Sequence, residues 1–320
     1  MSTPVSPILE RIDVFPLPDL VPPGYRPEAV FFIDVLRATT TITAALAAGA
    51  EQVIPVMEPA QALNMKRILE ESDPQKKGKI LLGGERKGVR IEGFDLGNSP
   101  SSYTPDLVGG KTIIFSTTNG TRAVLTFERI SALPPEGAKE EKRRRGGPSL
   151  RRQTVELPAA GRTRMFLGSF LNAAALVERL AAFRSVGIVC SGTELHYTEE
   201  DVLLAGLVVS RLLRPRADES RGTDKHAATP NKAGEAGMIA EPFPRPLLNV
   251  QAETAKYLWE SFLETTAPER LEKDLSEKLL ASRGGENLRR IRLHADIRDA
   301  ARLDRIDSVP EYALGRIRLS

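Results

Sequence analysis

The sequence predicts an α/β protein of three layers, in which a largely parallel sheet has helices on both faces and two subdomains are an open alternative. Three observations favour this class. Short apolar runs typical of strands alternate with longer segments of helical periodicity. The strand-like run Ala29–Ile33 is apolar throughout, as in strands that are buried on both faces. Of the 320 residues, 41% are hydrophobic, which is enough to bury a large core.

The individual elements follow from periodicity and from the residues that end them. An alanine-rich helix at 38–48 ends at Gly49, Gln52–Val56 has the pattern of a strand, and 59–71 has the period of an amphipathic helix. Further strands are predicted at 79–82, 112–115, 165–167 and 186–190, and further helices from Arg122, from Asn172 and over 199–213. Because strands and helices alternate in this way, a parallel sheet of βαβ units is expected.

Two segments interrupt this alternation and divide the chain. The segment 134–164 has nine Lys and Arg against four Glu, and it also contains Gly and Pro. Residues 134–163 are therefore predicted to form a disordered basic insertion. A second loop insertion is predicted at 214–246. The N-terminal α/β half then spans 1–133, and the C-terminal half spans 164–320.

Charge and composition exclude several classes of protein. The net charge is +3, and since the basic insertion contributes about +5, the rest of the chain carries about −2, which argues against a nucleic-acid partner. No apolar run approaches the roughly 18 residues of a membrane span, and the first residues lack a signal-peptide pattern. Cys190 alone forms neither an intrachain disulfide nor a thiolate zinc cluster. We therefore expect a cytoplasmic enzyme or binding protein without a membrane partner. A homodimer is a hypothesis that the sequence leaves open.

Candidate functional residues follow the predicted strand ends, where ligands bind in parallel sheets. In the first of these loops, Asp34 stands where a metal ligand is expected, and Arg37 offers a charged fork for phosphate or sulfonate oxygens. Thr39 and Thr40 open a helix, whose N-terminus favours an anion. The alternative is that Thr39 only caps the helix and Asp34 lies in a surface turn.

Three more strand-end loops carry polar residues. Glu85 and Arg86 follow paired glycines, which allow a ligand to approach the backbone closely. Glu85 is a candidate to bind a hard cation, and Arg86 is a candidate to neutralise an anionic ester. The loop after 112–115 is rich in hydroxyl and amide groups that suit an oxyanion, namely Thr117, Thr118, Asn119, Gly120, Thr121 and Arg122. Ser169 and Asn172 are candidates to hydrogen-bond substrate, and Glu200 and Asp201 lie in the first turn of a helix. Turn formation and helix capping are the alternative roles for these residues.

Taken in order, five strings resemble the signature blocks of the 2-phosphosulfolactate phosphatase family: IDVLRATTTI, GGERKGVRIEGFDLGNSP, STTNGTRA, GSFLNA and EEDVLLAG. The resemblance covers about residues 29–132, 164–213 and 247–320. It implies a magnesium-dependent phosphoric monoester hydrolase that converts 2-phospho-3-sulfolactate to 3-sulfolactate and phosphate, as in coenzyme M biosynthesis. The expected partner is a small anionic phosphate ester, and the expected cofactor is Mg²⁺.

The resemblance also suggests roles for the loop residues. Asp34, Glu85 and Asp201 are expected to be catalytic and to hold Mg²⁺, with Glu200 as a further ligand, because Mg²⁺ prefers carboxylates, water and substrate oxygens. Direct attack by water is favoured over an aspartyl phosphate on Asp34, since a D-x-D pattern is missing there. Two other functions stay open. One is a phosphatase for another 2-hydroxy-acid phosphate, and the other is a non-catalytic protein that binds anions.

Overall fold

The computed structural model describes residues 8–134, 163–214 and 245–320. The two predicted insertions, 134–163 and 214–246, therefore lie almost entirely outside the described residues, and the prediction that the first is disordered lies there with them. Within the described ranges, no helix is long and apolar enough to cross a membrane.

The described strands and helices alternate through most of the chain. The strands are β1 (Arg11–Phe15), β2 (Ala29–Ile33), β3 (Gln52–Val56), β4 (Ile80–Arg86), β5 (Val89–Arg90), β6 (Thr112–Ser116), β7 (Arg164–Gly168), β8 (Ser185–Cys190), β9 (Leu247–Leu248), β10 (Pro310–Ala313) and β11 (Arg316–Leu319). The helices are α1 (Ala38–Ala47), α2 (Pro59–Ser72), α3 (Pro105–Val108), α4 (Gly120–Ala132), α5 (Ala173–Leu180), α6 (Glu199–Leu212), α7 (Val250–Glu264), α8 (Leu271–Ala281), α9 (Arg283–Arg290) and α10 (His294–Ala300).

A single open sheet contains all eleven of these strands, in the order β5-β4-β6-β3-β11-β10-β7-β2-β8-β1-β9. Strands β4, β6 and β3 are parallel to one another, and β7, β2, β8, β1 and β9 form a second parallel group. The hairpin β10–β11 joins the two groups through antiparallel pairs. The sheet is therefore mixed and mostly parallel, which confirms the predicted α/β class.

The three antiparallel pairs at the hairpin make the two parallel groups run in opposite directions. In a flat sheet, the carboxyl ends of β2 and β4 would therefore lie at opposite edges. Six steps in the sheet separate β4 from β2, yet the segments that follow these two strands meet. Arg37, just after β2, donates a hydrogen bond from Nη2 to the carbonyl of Gly88, just after β4, at 2.7 Å.

The residues of β2 show that helices cover both faces of the sheet. Ala29, Phe31 and Ile33 belong to an apolar cluster with residues of α5, α6 and α7. Val30 and Phe32 alternate with them and belong to a second cluster with residues of α1 and α4. Because alternate side chains of a strand point to opposite faces, β2 lies in the middle layer of three, as predicted.

Candidate functional site

The loop after β2 is held in place by Asp34 and the first threonines of α1. The Thr39 hydroxyl accepts a hydrogen bond from Asp34 N at 3.0 Å and is within 3.0 Å of Asp34 O, to which it can donate. Thr40 Oγ1 donates to Val35 O at 2.8 Å. Ala38 N donates to Asp34 Oδ1 at 3.2 Å. The hydroxyls of Thr39 and Thr40, predicted to bind substrate, are thus engaged within the loop itself.

The second carboxylate oxygen of Asp34 lies beside the start of α4. No described residue donates a hydrogen bond to Oδ2, whereas Oδ1 is engaged by Ala38 N. A Cβ on Gly120 would lie 3.0 Å from Asp34 Oδ2 and 2.6 Å from Ala38 Cβ. Glycine at this position therefore lets the N-terminus of α4 approach the carboxylate closely.

We expect Gly120→Ala to destabilise the protein, because the added methyl group overlaps Ala38 Cβ in a packed interface. Overpacking of this kind costs about 1–3 kcal/mol in the free energy of unfolding. Urea unfolding of the variant and of Gly97→Ala measures the effect, since a Cβ on Gly97 would meet its nearest atom at an ordinary 3.4 Å. Equal stability of the two variants would contradict the close approach at Gly120.

Glu85 connects the end of β4 to the loop that precedes α4. Its Oε1 accepts hydrogen bonds from Thr118 N and Thr118 Oγ1, both at 3.1 Å. Its Oε2 accepts one from Gly88 N at 2.6 Å. Both oxygens of this buried carboxylate thus fix the backbone of neighbouring loops.

Arg86, at the end of β4, and the remaining residues of the loop after β6 also form hydrogen bonds within the protein. Arg86 donates from Nη1 to Glu85 O at 2.7 Å, and from Nη2 to Ser116 Oγ at 3.0 Å. The hydroxyls of Thr117 and Thr121 are 3.2 Å apart. Thr118 is exposed and Asn119 is half-buried, so this short stretch is the part of the loop that faces solvent.

The two remaining arginines of the predicted site, Arg122 and Arg37, form ion pairs with carboxylates. Arg122 forms an ion pair with Asp19, in the segment after β1. Arg37 donates from Nη1 to Asp296 Oδ2 at 2.5 Å, and both of these side chains are 3% exposed. Ser99 Oγ donates to the same Asp296 oxygen at 2.8 Å. Arg37 thus joins the loop after β2 to the β4–β5 turn and to α10.

Glu200 and Asp201 lie in the first turn of α6. Asp201 links the loop after β8 to the loop after β2 by hydrogen bonds. Asp201 accepts hydrogen bonds from Val35 N at 2.9 Å and from Gly192 N at 3.2 Å. Glu200 is buried, and its Oε2 has no hydrogen-bond partner in the part of the chain that the structure describes. Gly284 packs against this carboxylate, since a Cβ there would lie 2.0 Å from Glu200 Oε1.

Burial raises the pKa values of three of these carboxyl groups. It raises the pKa of Asp34 to about 7, and the charges of Glu85 and Glu200 add to the increase. Burial also raises the pKa of Asp201, with further contributions from Glu200 and Asp34, and it raises the pKa of Glu200. Buried like charges that repel each other in this way are stabilised by a bound cation.

These shifts predict that the unfolding free energy of the metal-free protein falls as the pH rises from about 4 to about 7. Asp34 has a pKa of about 7 when folded and an ordinary pKa of 3.8 in the unfolded chain, so the folded state binds more protons between these pH values. The contribution of protonated Asp34 to the unfolding free energy is fully present below the pKa of the unfolded chain, and it is lost as the pH rises through the pKa of the folded protein.

Urea unfolding in the presence of a chelator, at several pH values, checks this prediction against Asp34→Asn. The stability of the wild-type protein relative to the variant should fall over this pH range by an amount on the order of a few kcal/mol. Adding Mg²⁺ at pH 8 should restore stability to the wild-type protein alone. A difference that stays constant from pH 4 to pH 8 would contradict the prediction.

The oxygen atoms at this site fit a cation that is held partly by the protein. Within the described residues, no group of three or more His, Cys, Asp or Glu side chains is arranged to hold a metal. Among the described residues, Asp34 Oδ2 and Glu200 Oε2 accept no hydrogen bond, and the buried Ser191 Oγ, after β8, likewise has no partner. Mg²⁺ commonly binds one or two carboxylates and completes its coordination with water and substrate phosphate. The donor set suits that mode of binding.

Ser169 and Asn172 form a buried cap after β7. Ser169 N and Ser169 Oγ both donate to Asn172 Oδ1 at 2.9 Å, and Asn172 Nδ2 donates to Ser308 O at 3.3 Å. Both side chains are fully buried and hydrogen-bonded to each other. Asp296, which binds Arg37, and Ser191, which follows β8, are not among the predicted site residues.

Comparison with known proteins identifies the family. The family model for 2-phosphosulpholactate phosphatase matches residues 15–133 and 154–315. A probable 2-phosphosulfolactate phosphatase of Caldicellulosiruptor saccharolyticus is 31% identical over 286 residues, which is 88% of this chain and 87% of that protein. Proteins of the same description from Symbiobacterium thermophilum (31% identity; 89% of this chain, 91% of that protein) and Synechococcus sp. strain JA-3-3Ab (41% identity; 62% and 67%) are also similar. The chain therefore belongs to the 2-phosphosulpholactate phosphatase family.

Proposed function

We propose that this chain is a cytoplasmic, magnesium-dependent phosphatase that hydrolyses 2-phospho-3-sulfolactate to 3-sulfolactate and phosphate, as in coenzyme M biosynthesis. The observation that carries the proposal is a pair of carboxylate oxygens that accept no hydrogen bond from the described residues: Asp34 Oδ2, beside the N-terminus of α4, and Glu200 Oε2, in the same acidic cluster. The family membership and the descriptions of the relatives support this activity. The substrate is a small anionic ester, which suits these loops.

Asp34 and Glu200 are the residues that would hold the Mg²⁺. When bound, the cation supplies charge neutralisation to the phosphoryl oxygens and favours a nucleophilic water. Glu85 and Asp201 have a different task in this proposal, because their oxygens accept hydrogen bonds from backbone groups of the surrounding loops. They hold the strand-end loops in register, as a reaction that depends on positioning requires.

The N-terminus of α4 would bind the phosphate. The first N–H groups of a helix have no partners within the helix, and the helix dipole favours negative charge at this end. Gly120 allows this helix end to lie close to the carboxylate of Asp34. Thr118, two residues earlier, is held by a hydrogen bond from its N–H to Glu85. A phosphate at this helix end would lie beside the Asp34 carboxylate and would need a cation there, since two negative charges would otherwise face each other.

The nucleophile in this proposal is water. Trapping experiments with substrate labelled on phosphorus test this directly: rapid acid quenching should recover no label on the protein. A stable phosphoryl group on Asp34 would instead establish the aspartyl-phosphate route.

A panel of esters tests the proposed substrate. We expect kcat/KM to be highest for 2-phosphosulfolactate and lower for 2-phospholactate and 3-phosphoglycerate, with turnover in each case lost in the presence of a chelator. A higher kcat/KM for another 2-hydroxy-acid phosphate would reassign the substrate. Binding of phosphate that is indifferent to Mg²⁺, with no turnover of any ester, would identify an anion-binding protein.

A further inference from the structure

Two exposed cations lie on either side of a contact between the β4–β5 turn and the residues after α9. Lys87 is in the turn, Arg292 follows α9, and both residues are exposed. A Cβ on Gly88 would lie 2.6 Å from Ile291 Cδ1. The immediate neighbours of Lys87 and Arg292 therefore pack against each other.

The β4–β5 turn is connected directly to the candidate site. Gly88 N donates to Glu85 Oε2 at 2.6 Å, and Gly88 O accepts from Arg37 Nη2 at 2.7 Å. The position of Lys87 is therefore set by two buried residues of the site, and the position of Arg292 is set through Ile291. Both exposed cations are thus next in sequence to residues that are packed onto the site, and we call this pair the rim.

Lys87 and Arg292 also differ from the other cations near them. Both have left-handed backbone conformations, with φ of 53° and 63°, where glycine or asparagine is favoured. Neither side chain forms an ion pair or a hydrogen bond with the described residues, whereas the neighbouring Arg289 and Arg290 both pair with Glu286. No carboxylate of the described residues therefore neutralises either charge, and local backbone preference does not account for a cation at either position.

We propose that Lys87 and Arg292 bind the second anionic group of the substrate, the sulfonate or carboxylate that accompanies its phosphate. This inference rests on the proposed function, which assigns the phosphate to Asp34 and the N-terminus of α4. The two cations of the rim lie on separate elements and attract an anionic group that lies away from the phosphate. They set specificity among phosphate esters, and the phosphoryl chemistry itself does not depend on them.

The backbone conformation at these positions allows a clean test by Lys87→Asn and Arg292→Asn. Asparagine tolerates the left-handed conformation, so both variants should unfold at denaturant concentrations no lower than the wild-type protein. For 2-phosphosulfolactate, each variant should raise KM about 10-fold while kcat changes little, because a charged hydrogen bond to the bound substrate is lost. For ethyl phosphate, which has no second anionic group, kcat/KM should stay unchanged.

Comparison with 2-phospholactate distinguishes the two anionic groups. If the cations bind the sulfonate, KM for 2-phospholactate is unchanged in the variants; if they bind the carboxylate, it rises as for 2-phosphosulfolactate. Lys273→Gln removes an exposed charge from α8, and Leu314→Asn changes a residue with φ of 52° at the β10–β11 hairpin. Neither control should change KM. An unchanged KM for all three esters in both rim variants would overturn the proposal.

A separate measurement keeps this inference distinct from the proposed function. If the wild-type protein hydrolyses none of the esters, the proposed function fails, and calorimetric titration with 3-sulfolactate then tests the rim alone. Binding that weakens about 10-fold in each rim variant would support an anion subsite. Binding of equal strength in the wild-type protein and the variants, or no binding to either, would reject it.

Discussion

Asp34→Asn is expected to lower kcat for phosphate release by about 1,000-fold, which corresponds to ~4 kcal/mol of transition-state stabilisation. Asparagine keeps the size of the side chain and an oxygen for the hydrogen bond from Ala38 N, but it removes the negative charge beside Gly120. Because a carboxylate binds Mg²⁺ far better than an amide does, the variant should also need a much higher Mg²⁺ concentration for half-maximal activity. Initial rates of phosphate release over a range of Mg²⁺ concentrations measure both effects.

Asp13→Asn is the matched control for this substitution. Asp13, on β1, is also a buried aspartate, 2% exposed, but it accepts a hydrogen bond from the Tyr25 hydroxyl and takes no part in the candidate site. We expect Asp13→Asn to lower stability and to leave kcat within about twofold. If the two variants lost activity to the same degree, the loss at Asp34 would reflect general damage to the fold.

Asp296→Ala is expected to lower the free energy of unfolding by about 3–5 kcal/mol, because it leaves the Arg37 guanidinium buried without its carboxylate. The ion pair is 2.5 Å long, and each side chain is only 3% exposed. Ser99 Oγ also loses its acceptor. Urea unfolding monitored through the single tryptophan, Trp259, measures the loss.

Glu71→Ala provides the contrast, since Glu71 and Arg67 form an ion pair with side chains 61% and 62% exposed. Removing that solvated pair should cost less than about 1 kcal/mol. The double variant Arg37→Met with Asp296→Leu should recover most of the stability lost in Asp296→Ala, since apolar side chains can replace a buried ion pair. If Asp296→Ala were no less stable than Glu71→Ala, Arg37 would not depend on its partner.

Much of the fold is predictable from local sequence, because each parallel strand is a short apolar run that leads into a helix. The periodicity indicates β2, β3 and β6 and the helices α1 and α2 near their observed bounds. The hairpin β10–β11 could not be predicted in the same way. It lies between β3 and β7 in the sheet, and this placement depends on pairing between residues far apart in sequence, such as Glu311 with Phe166 and Ile317 with Val53.

The candidate site is predictable where strand ends carry acidic residues. Asp34 follows β2, Glu85 lies at the end of β4, which extends beyond the predicted 79–82, and Glu200 and Asp201 open α6. The structure brings the other three within electrostatic range of Asp34. Asp296 could not be found from a pattern, because it lies in a short helix 259 residues after its partner Arg37. Sequence also cannot distinguish a capping hydroxyl from a substrate ligand, since Thr and Ser serve equally well as either.

Phosphate release from 2-phosphosulfolactate by chelator-treated protein, before and after Mg²⁺ is added back, tests the central claim most directly. The buried carboxylates at the end of β2 predict no turnover without the cation and restored turnover with it, in the wild-type protein but not in Asp34→Asn. Turnover that survives complete removal of divalent cations, or that Asp34→Asn retains in full, would contradict the assignment of this acidic cluster as a cation site.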